Sequence, residues 1–241
     1  MRDGLVIIPT YNEIENIESI VRAVFSLHRN FDVLIIDDNS PDGTASKVTA
    51  LQTEFPERLF LEKRAKKAGL GTAYVHGFKW ALDRHYPLVF EMDADFSHNP
   101  ADLEKLRDAC HFGSADVAIG SRYVTGVNVV NWPLSRVLMS YFASVYVKLI
   151  TGMKIHDATA GFICYKAEVL RAVNLDKIKF IGYAFQIEMK YRAFAKNFRI
   201  VEVPIIFTDR TKGQSKMSNA IITEAVFGVI QLRIRKLFNR L

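Results

Sequence analysis

The chain has 241 residues, 49% of them hydrophobic, enough apolar material for a large core and too much for wholesale disorder. Its formal net charge of +6 and isoelectric point of about 9.2 favour anionic partners: a nucleotide, a phosphorylated lipid, an acidic membrane or a nucleic acid. The two cysteines, Cys110 and Cys164, form no CxxC or metal-ligand pair and read as buried apolar residues of a reducing compartment.

In chain order, residues 5–8 read as a buried strand ending at Pro9, with no signal-peptide pattern around it. Ile14, Ile17, Val21, Val24 and Phe25 then recur at helical spacing. Residues 33–36 form a second strand ending in Asp37-Asp38, followed by the turn Asn39-Ser40-Pro41-Asp42-Gly43, with Thr44 able to cap the next helix. A third strand at 59–61 leads to a glycine-containing loop at 68–71 and a helix to about Leu82. A fourth strand at 88–92 ends at Asp93-Ala94-Asp95; Pro100 opens a helix, and 117–119 is a fifth strand. Beyond about Val124 the pattern changes to longer helices and a hairpin-like segment near 200–208. The alternation predicts an α/β fold with a mostly parallel central sheet and helices on both faces, in one domain spanning 1–241.

In such sheets ligands bind beyond the carboxyl ends of the strands, which here carry Pro9-Thr10-Tyr11, Asp37-Asp38, Asp93-Ala94-Asp95 and Ser121-Arg122. Carboxylates at i and i+2 just past a strand suit a hard divalent cation, which can bridge a diphosphate and offset charge on a departing group. The competing reading of Asp-x-Asp is a pair of solvated loop acids. Asp37-Asp38 reads either as a turn-capping acid or as an acceptor for ribose or base. Tyr11 can pack on a base and Glu13 can accept from it, or Glu13 simply favours the helix dipole. Arg122, Arg136, Arg210 and Lys216 supply positive charge, the last two from a flexible loop able to close over phosphates. Lys63-Arg64 and Lys66-Lys67 read as a solvated basic cluster. His98 and His156 read as polar loop residues without a catalytic role.

Together these segments resemble glycosyltransferase family 2, and within it the dolichyl- or polyprenyl-phosphate mannose synthase group. The resemblance rests on Ile8-Pro9-Thr10-Tyr11-Asn12-Glu13, Asp37 through Thr44, Glu91 through His98, Gly120-Ser121-Arg122-Tyr123 and Arg210 through Ser218, in order along almost the whole chain. It implies a GT-A fold and inverting transfer of mannose from GDP-mannose to a polyprenyl phosphate, with transfer of glucose from UDP-glucose as the nearest alternative. It implies that Pro9, Tyr11, Glu13, Ile36 and Asp38 contact the guanosine. Asp93, Ala94 and Asp95 would meet the diphosphate, with Asp93 and Asp95 holding Mg2+ or Mn2+. Ser97 stands where some members carry a metal-ligating glutamine. Arg122, Arg210 and Lys216 would bind phosphates, Arg136 would serve the acceptor, and Asp157 would shape the site near the sugar.

A lipid acceptor implies membrane access. No stretch reaches the roughly 20 apolar residues of a membrane span; the nearest, 137–147, lies between Arg136 and Lys148. Residues 219–241 read instead as an amphipathic surface helix with Ile230, Ile234, Leu237 and Leu241 on one face and Arg233, Lys236 and Arg240 opposite. The expected setting is the cytoplasmic face of a membrane, and a small membrane partner protein is a further expectation; 134–150 is a second candidate for lipid or partner contact. A nucleic-acid partner is not expected, because the basic residues are not interleaved with aromatics in one stripe. A dinucleotide oxidoreductase is disfavoured because Pro9-Thr10-Tyr11-Asn12-Glu13 stands where G-x-G-x-x-G belongs.

Overall fold

The computed structural model describes residues 2–209 and 219–238. Its centre is a seven-stranded sheet, in spatial order β3-β2-β1-β4-β7-β5-β8. The strands are β1 (Gly4–Thr10), β2 (Phe31–Asp37), β3 (Leu59–Lys63), β4 (Leu88–Glu91), β5 (Val117–Ser121), β7 (Ile163–Lys166) and β8 (Ile200–Pro204). All run parallel except β7, which lies antiparallel between β4 and β5. A second, two-stranded sheet pairs β6 (Val129–Val130) with β9 (Phe207–Thr208). The expected α/β architecture is therefore present, with one correction: 200–208 is not a hairpin. The chain leaves the main sheet after Pro204, and β8 and β9 each find a parallel partner in a different sheet.

The two-residue period of the strands divides the core in two. Leu5, Ile7, Leu34 and Ile36 face one side, against α3 (Leu70–Asp83), α6 (Ala167–Ala172) and α7 (Tyr183–Ala195). Val6, Ile8, Val33 and Ile35 face the other, against α1 (Ile17–Phe25), α2 (Thr44–Leu51) and α4 (Asp102–His111). In α1 the buried residues Ile17, Ile20, Val21 and Val24 make one helical stripe. α3 presses onto β1 at Gly77, where a Cβ would come within 2.8 Å of the Ile7 side chain.

Two helices depart from this pattern of burial. α5 (Leu134–Thr151) buries only Ser144, Val147 and Thr151 and leaves Leu134, Leu138, Met139, Tyr141, Phe142 and Leu149 exposed. α8 (Asn219–Leu237) rests on α7 and α5, turning Val229 and Leu232 inward. Its Ile230, Ile234 and Leu237 are exposed, as are Val226 and Phe227. The apolar stripe expected on this helix thus points outward, and Lys236, expected on the polar face, lies over the Phe194 ring at 4.9 Å. Arg240 and Leu241 lie outside the described residues. No helix among the described residues is long and apolar enough to cross a membrane.

Candidate active site

The carboxyl ends of β1, β2, β4 and β5 converge on a cavity of about 770 Å3 that continues away from the sheet between α5, α8 and the 181–187 segment. At its polar end the first two strand-to-helix loops brace each other. Asp37 accepts from Thr10 Oγ1 at 3.0 Å and from Ser40 N and Oγ at 2.9 and 2.6 Å. Asp42 takes the Thr44 N–H and hydroxyl at 3.0 and 2.6 Å, and the Thr44 hydroxyl accepts the Glu13 N–H at 3.0 Å. Thr44 is therefore not the cap of α2 but its first residue, with Gly43 at the cap position; its hydroxyl ties the two loops together. Asp37 is the turn-holding acid, and Asp38 is the one on the cavity wall.

Asp38 faces Arg64, whose Nη2 donates to Oδ2 at 2.6 Å and whose Nη1 donates to Thr72 Oγ1 at 2.7 Å. Lys67 sits 4.5 Å over the Tyr11 ring, and both line the cavity. Arg64 is not the solvated charge expected of the 63–67 cluster, whereas Lys63, Lys66 and Lys67 are exposed as expected, Lys67 at the cavity rim. A carboxylate buried at the end of β2 requires a counterion, and the end of β3, hydrogen-bonded beside it, supplies one. Pro9, Tyr11 and Glu13 line the same end of the cavity. Ile36 does not: its side chain is fully buried in the core beneath the sheet.

Past β4, Asp93, Ala94, Asp95 and Ser97 all reach the cavity. Asp95 is buried and its Oδ1 accepts the Ser97 N–H at 3.0 Å, which fixes its orientation. Phe96 adopts φ 59°, a left-handed conformation rare for an aromatic residue, so the Asp95–Ser97 turn holds local strain. His98, read as a loop residue, is buried and stacked on Phe162 at 4.8 Å. Its pKa falls to about 4, mainly through burial, so the ring is neutral at pH 7. Among the described residues no three histidine, cysteine or acidic side chains gather as a complete metal cage. Two carboxylates with a hydroxyl nearby match a cation that takes its remaining ligands from phosphate and water.

On the far side of β4, Arg122 and Asp157 form a buried pair. Asp157 is fully buried and accepts from Arg122 N, Nε and Nη2 at 2.9, 2.7 and 2.6 Å. Burial alone would raise its carboxyl, but the Arg122 charge and hydrogen bonds outweigh it and hold the pKa below the usual range. Asp157 does not line the cavity; Arg122 does, with Trp132 and Phe207 about its guanidinium at 5.4 and 5.5 Å. Arg136 lines it too, stacked 4.1 Å over Trp132 and paired with Asp209 at 2.9 Å. Arg210 and Lys216 lie outside the described residues. The opposite end of the cavity is apolar, walled by Met139, Phe142, Tyr146, Ile187, Val226 and Val229.

The family model described as "Glycosyl transferase family 2" matches residues 5–173, which contain all of these strand ends. The chain belongs to glycosyltransferase family 2. The polyprenol monophosphomannose synthase of Mycolicibacterium smegmatis is 47% identical over 236 residues, covering 98% of this chain and 89% of its own. The undecaprenyl-phosphate mannosyltransferase of Micrococcus luteus is 45% identical over 93% of this chain and 91% of its own. The dolichol-phosphate mannosyltransferase of Pyrococcus furiosus is 36% identical over 94% of this chain and 62% of its own. Among solved structures, Mycobacterium tuberculosis glucosyl-3-phosphoglycerate synthase in complex with Mn2+, UDP-glucose and phosphoglyceric acid superposes with a TM-score of 0.67. At 15% identity it covers 96% of this chain and 78% of its own. That likeness supports the GT-A fold of this glycosyltransferase.

Proposed function

We propose that this glycosyltransferase moves mannose from GDP-mannose to a polyprenyl phosphate, with inversion, at the surface of a membrane. The observation that carries the reading is a single cavity with two chemically different ends. One end offers carboxylates, arginines and a tyrosine face, as a nucleotide diphosphate requires; the other offers an apolar trough, as an isoprenoid chain requires. The names of the relatives agree with it.

In this reading Tyr11 packs on the guanine, Asp38, oriented by Arg64, accepts from the nucleoside, and Pro9 and Glu13 complete that wall. Ile36, buried in the core, has no contact with the nucleoside in this reading. Asp93 and Asp95, with Ser97 or water, would hold a Mg2+ or Mn2+ ion, which when bound supplies Lewis-acid stabilisation of the departing diphosphate. Arg122 faces phosphate oxygens, and Asp157 positions Arg122 instead of acting as a free base. Arg136 serves the acceptor phosphate; Arg210 and Lys216 keep the phosphate-binding role implied by resemblance. The acceptor phosphate is already anionic at neutral pH, so its oxygen attacks the anomeric carbon without a protein base. The bond from that carbon to the diphosphate oxygen breaks and its electron pair leaves with GDP.

The exposed apolar side chains of α5 and α8, with Arg233 and Arg235 among them, suit contact with an anionic bilayer on the cytoplasmic side. A small membrane partner could share that face. Calorimetric titration tests the nucleotide assignment. GDP with Mg2+ should bind at least tenfold more tightly than UDP. Equal or tighter UDP binding would shift the reading to a UDP-sugar donor.

A further inference from the structure

Lys190, on α7, is fully buried, which is rare for an ammonium group. Its Nζ donates to the Ala160 carbonyl at 2.6 Å and to the Gln186 carbonyl, one turn earlier, at 3.3 Å. Burial pulls its pKa down to about 8, while Glu91 and Asp157 draw it back up. A buried charge of this kind is a poor device for stability alone, because apolar replacements are often neutral or better. Lys190 does not itself line the cavity, so whatever it contributes passes through Ala160.

The Ala160–Gly161 peptide is trans, and in a trans peptide the carbonyl and the N–H point in opposite directions. With the Ala160 carbonyl drawn inward to Lys190, the Gly161 N–H is directed outward, on a segment where both residues line the cavity. Among the described residues that N–H has no protein acceptor. A guanidinium lies close by: Arg122 Nη2 donates to the hydroxyl of the neighbouring Thr159 at 2.9 Å. A backbone donor beside a guanidinium, in a partly water-excluded wall, suits an anionic oxygen.

We propose that Lys190 is a positioning residue that turns the Ala160–Gly161 peptide so that the Gly161 N–H donates to a phosphate oxygen of a bound substrate. The proposal rests on the reaction assigned above, in which both substrates carry phosphate: the donor its diphosphate, the acceptor its monoester.

The test compares Gly161→Pro, which removes the N–H, with Gly161→Ala, which keeps it. A Cβ at this position meets Gln186 Nε2 at 3.5 Å, an ordinary contact, so the alanine variant does not overpack the site. KM is measured for GDP-mannose and for a short polyprenyl phosphate separately, with Tm recorded for each variant. One KM should be about tenfold higher in the proline variant than in the alanine variant, the size of a lost charge-assisted hydrogen bond; the other should match. A rise for the donor, reproduced in calorimetric GDP affinity, assigns the diphosphate. A rise for the acceptor with GDP affinity unchanged assigns the acceptor phosphate. Lys190→Met should raise the same KM and Lys190→Arg should recover part of it; this pair carries the comparison if the proline variant does not fold. Proline and alanine variants alike in both constants would overturn the proposal. So would a Lys190→Met enzyme that loses kcat alone. Wild-type protein forming no mannosyl lipid would instead remove the assigned reaction, and binding of GDP and of inorganic phosphate to the two Gly161 variants would then decide the role of the amide.

Discussion

Removing the Asp157 carboxylate should destabilise the fold far more than an ordinary ion pair would. Asp157 is fully buried and accepts three hydrogen bonds from Arg122, so Asp157→Ala removes those bonds and a buried negative charge from beside the guanidinium. Breaking a buried pair by deleting one partner costs about 3–5 kcal/mol. Arg122 borders the cavity and can recruit some water after the loss, which points to the lower end, about 3 kcal/mol. Urea unfolding at pH 7, with an unchanged m-value, measures it. The folded carboxyl lies below its ordinary 3.8, so the stabilisation is complete above that value and disappears as pH falls through the lower folded pKa. The wild-type advantage over Asp157→Ala should therefore stay flat from pH 7 to pH 5 and shrink below pH 4. A loss under about 1 kcal/mol, typical of a solvent-screened pair, would refute the reasoning. So would an advantage that grows on acidification.

Asp93→Ala and Asp95→Ala should each lower kcat about 100-fold or more, the usual scale for losing a group that stabilises transition-state charge, and chelation should abolish turnover; a fall of tenfold or less in initial rate would contradict the metal role. Arg64→Ala should weaken calorimetric GDP binding about tenfold through misorientation of Asp38, a loss typical of one charged hydrogen bond; unchanged affinity would remove Arg64 from the nucleotide wall. Replacing exposed Phe227, Ile230 and Ile234 together by aspartate should halve or abolish recovery with anionic vesicles in flotation, with Tm little changed because these side chains are exposed. Full recovery would place membrane contact elsewhere.

The parallel half of the sheet was legible because each strand is a short apolar run closed by turn chemistry. The Asp38, Asp93 and Arg122 positions followed because the carboxyl edge of such a sheet gathers whatever closes its strands. β7 was not legible. Ile163-Cys164-Tyr165-Lys166 is only four residues long, and nothing local marks it as the antiparallel strand inserted between β4 and β5. The pairing of Arg64 with Asp38 was hidden by sequence distance: 26 residues separate them, and only the β2–β3 register brings them together. Lys190 had no signal of its own, since a lysine in a helix usually reads as surface. On the C-terminal helix the expected apolar stripe of Ile230, Ile234 and Leu237 is exposed, while Val229 and Leu232 turn inward and Lys236, expected on a polar face, packs over Phe194. A periodic stripe tells that a helix has an apolar face; it does not tell whether protein or lipid covers it.

The most direct test of the account is turnover on a donor panel. Purified enzyme, a short polyprenyl phosphate in detergent and Mg2+ or Mn2+ are incubated separately with GDP-mannose, UDP-glucose and UDP-N-acetylglucosamine, and the lipid is weighed by mass spectrometry. The account predicts a lipid heavier by one hexose with GDP-mannose alone. A hexose or N-acetylhexosamine gained only from a UDP-sugar would contradict it.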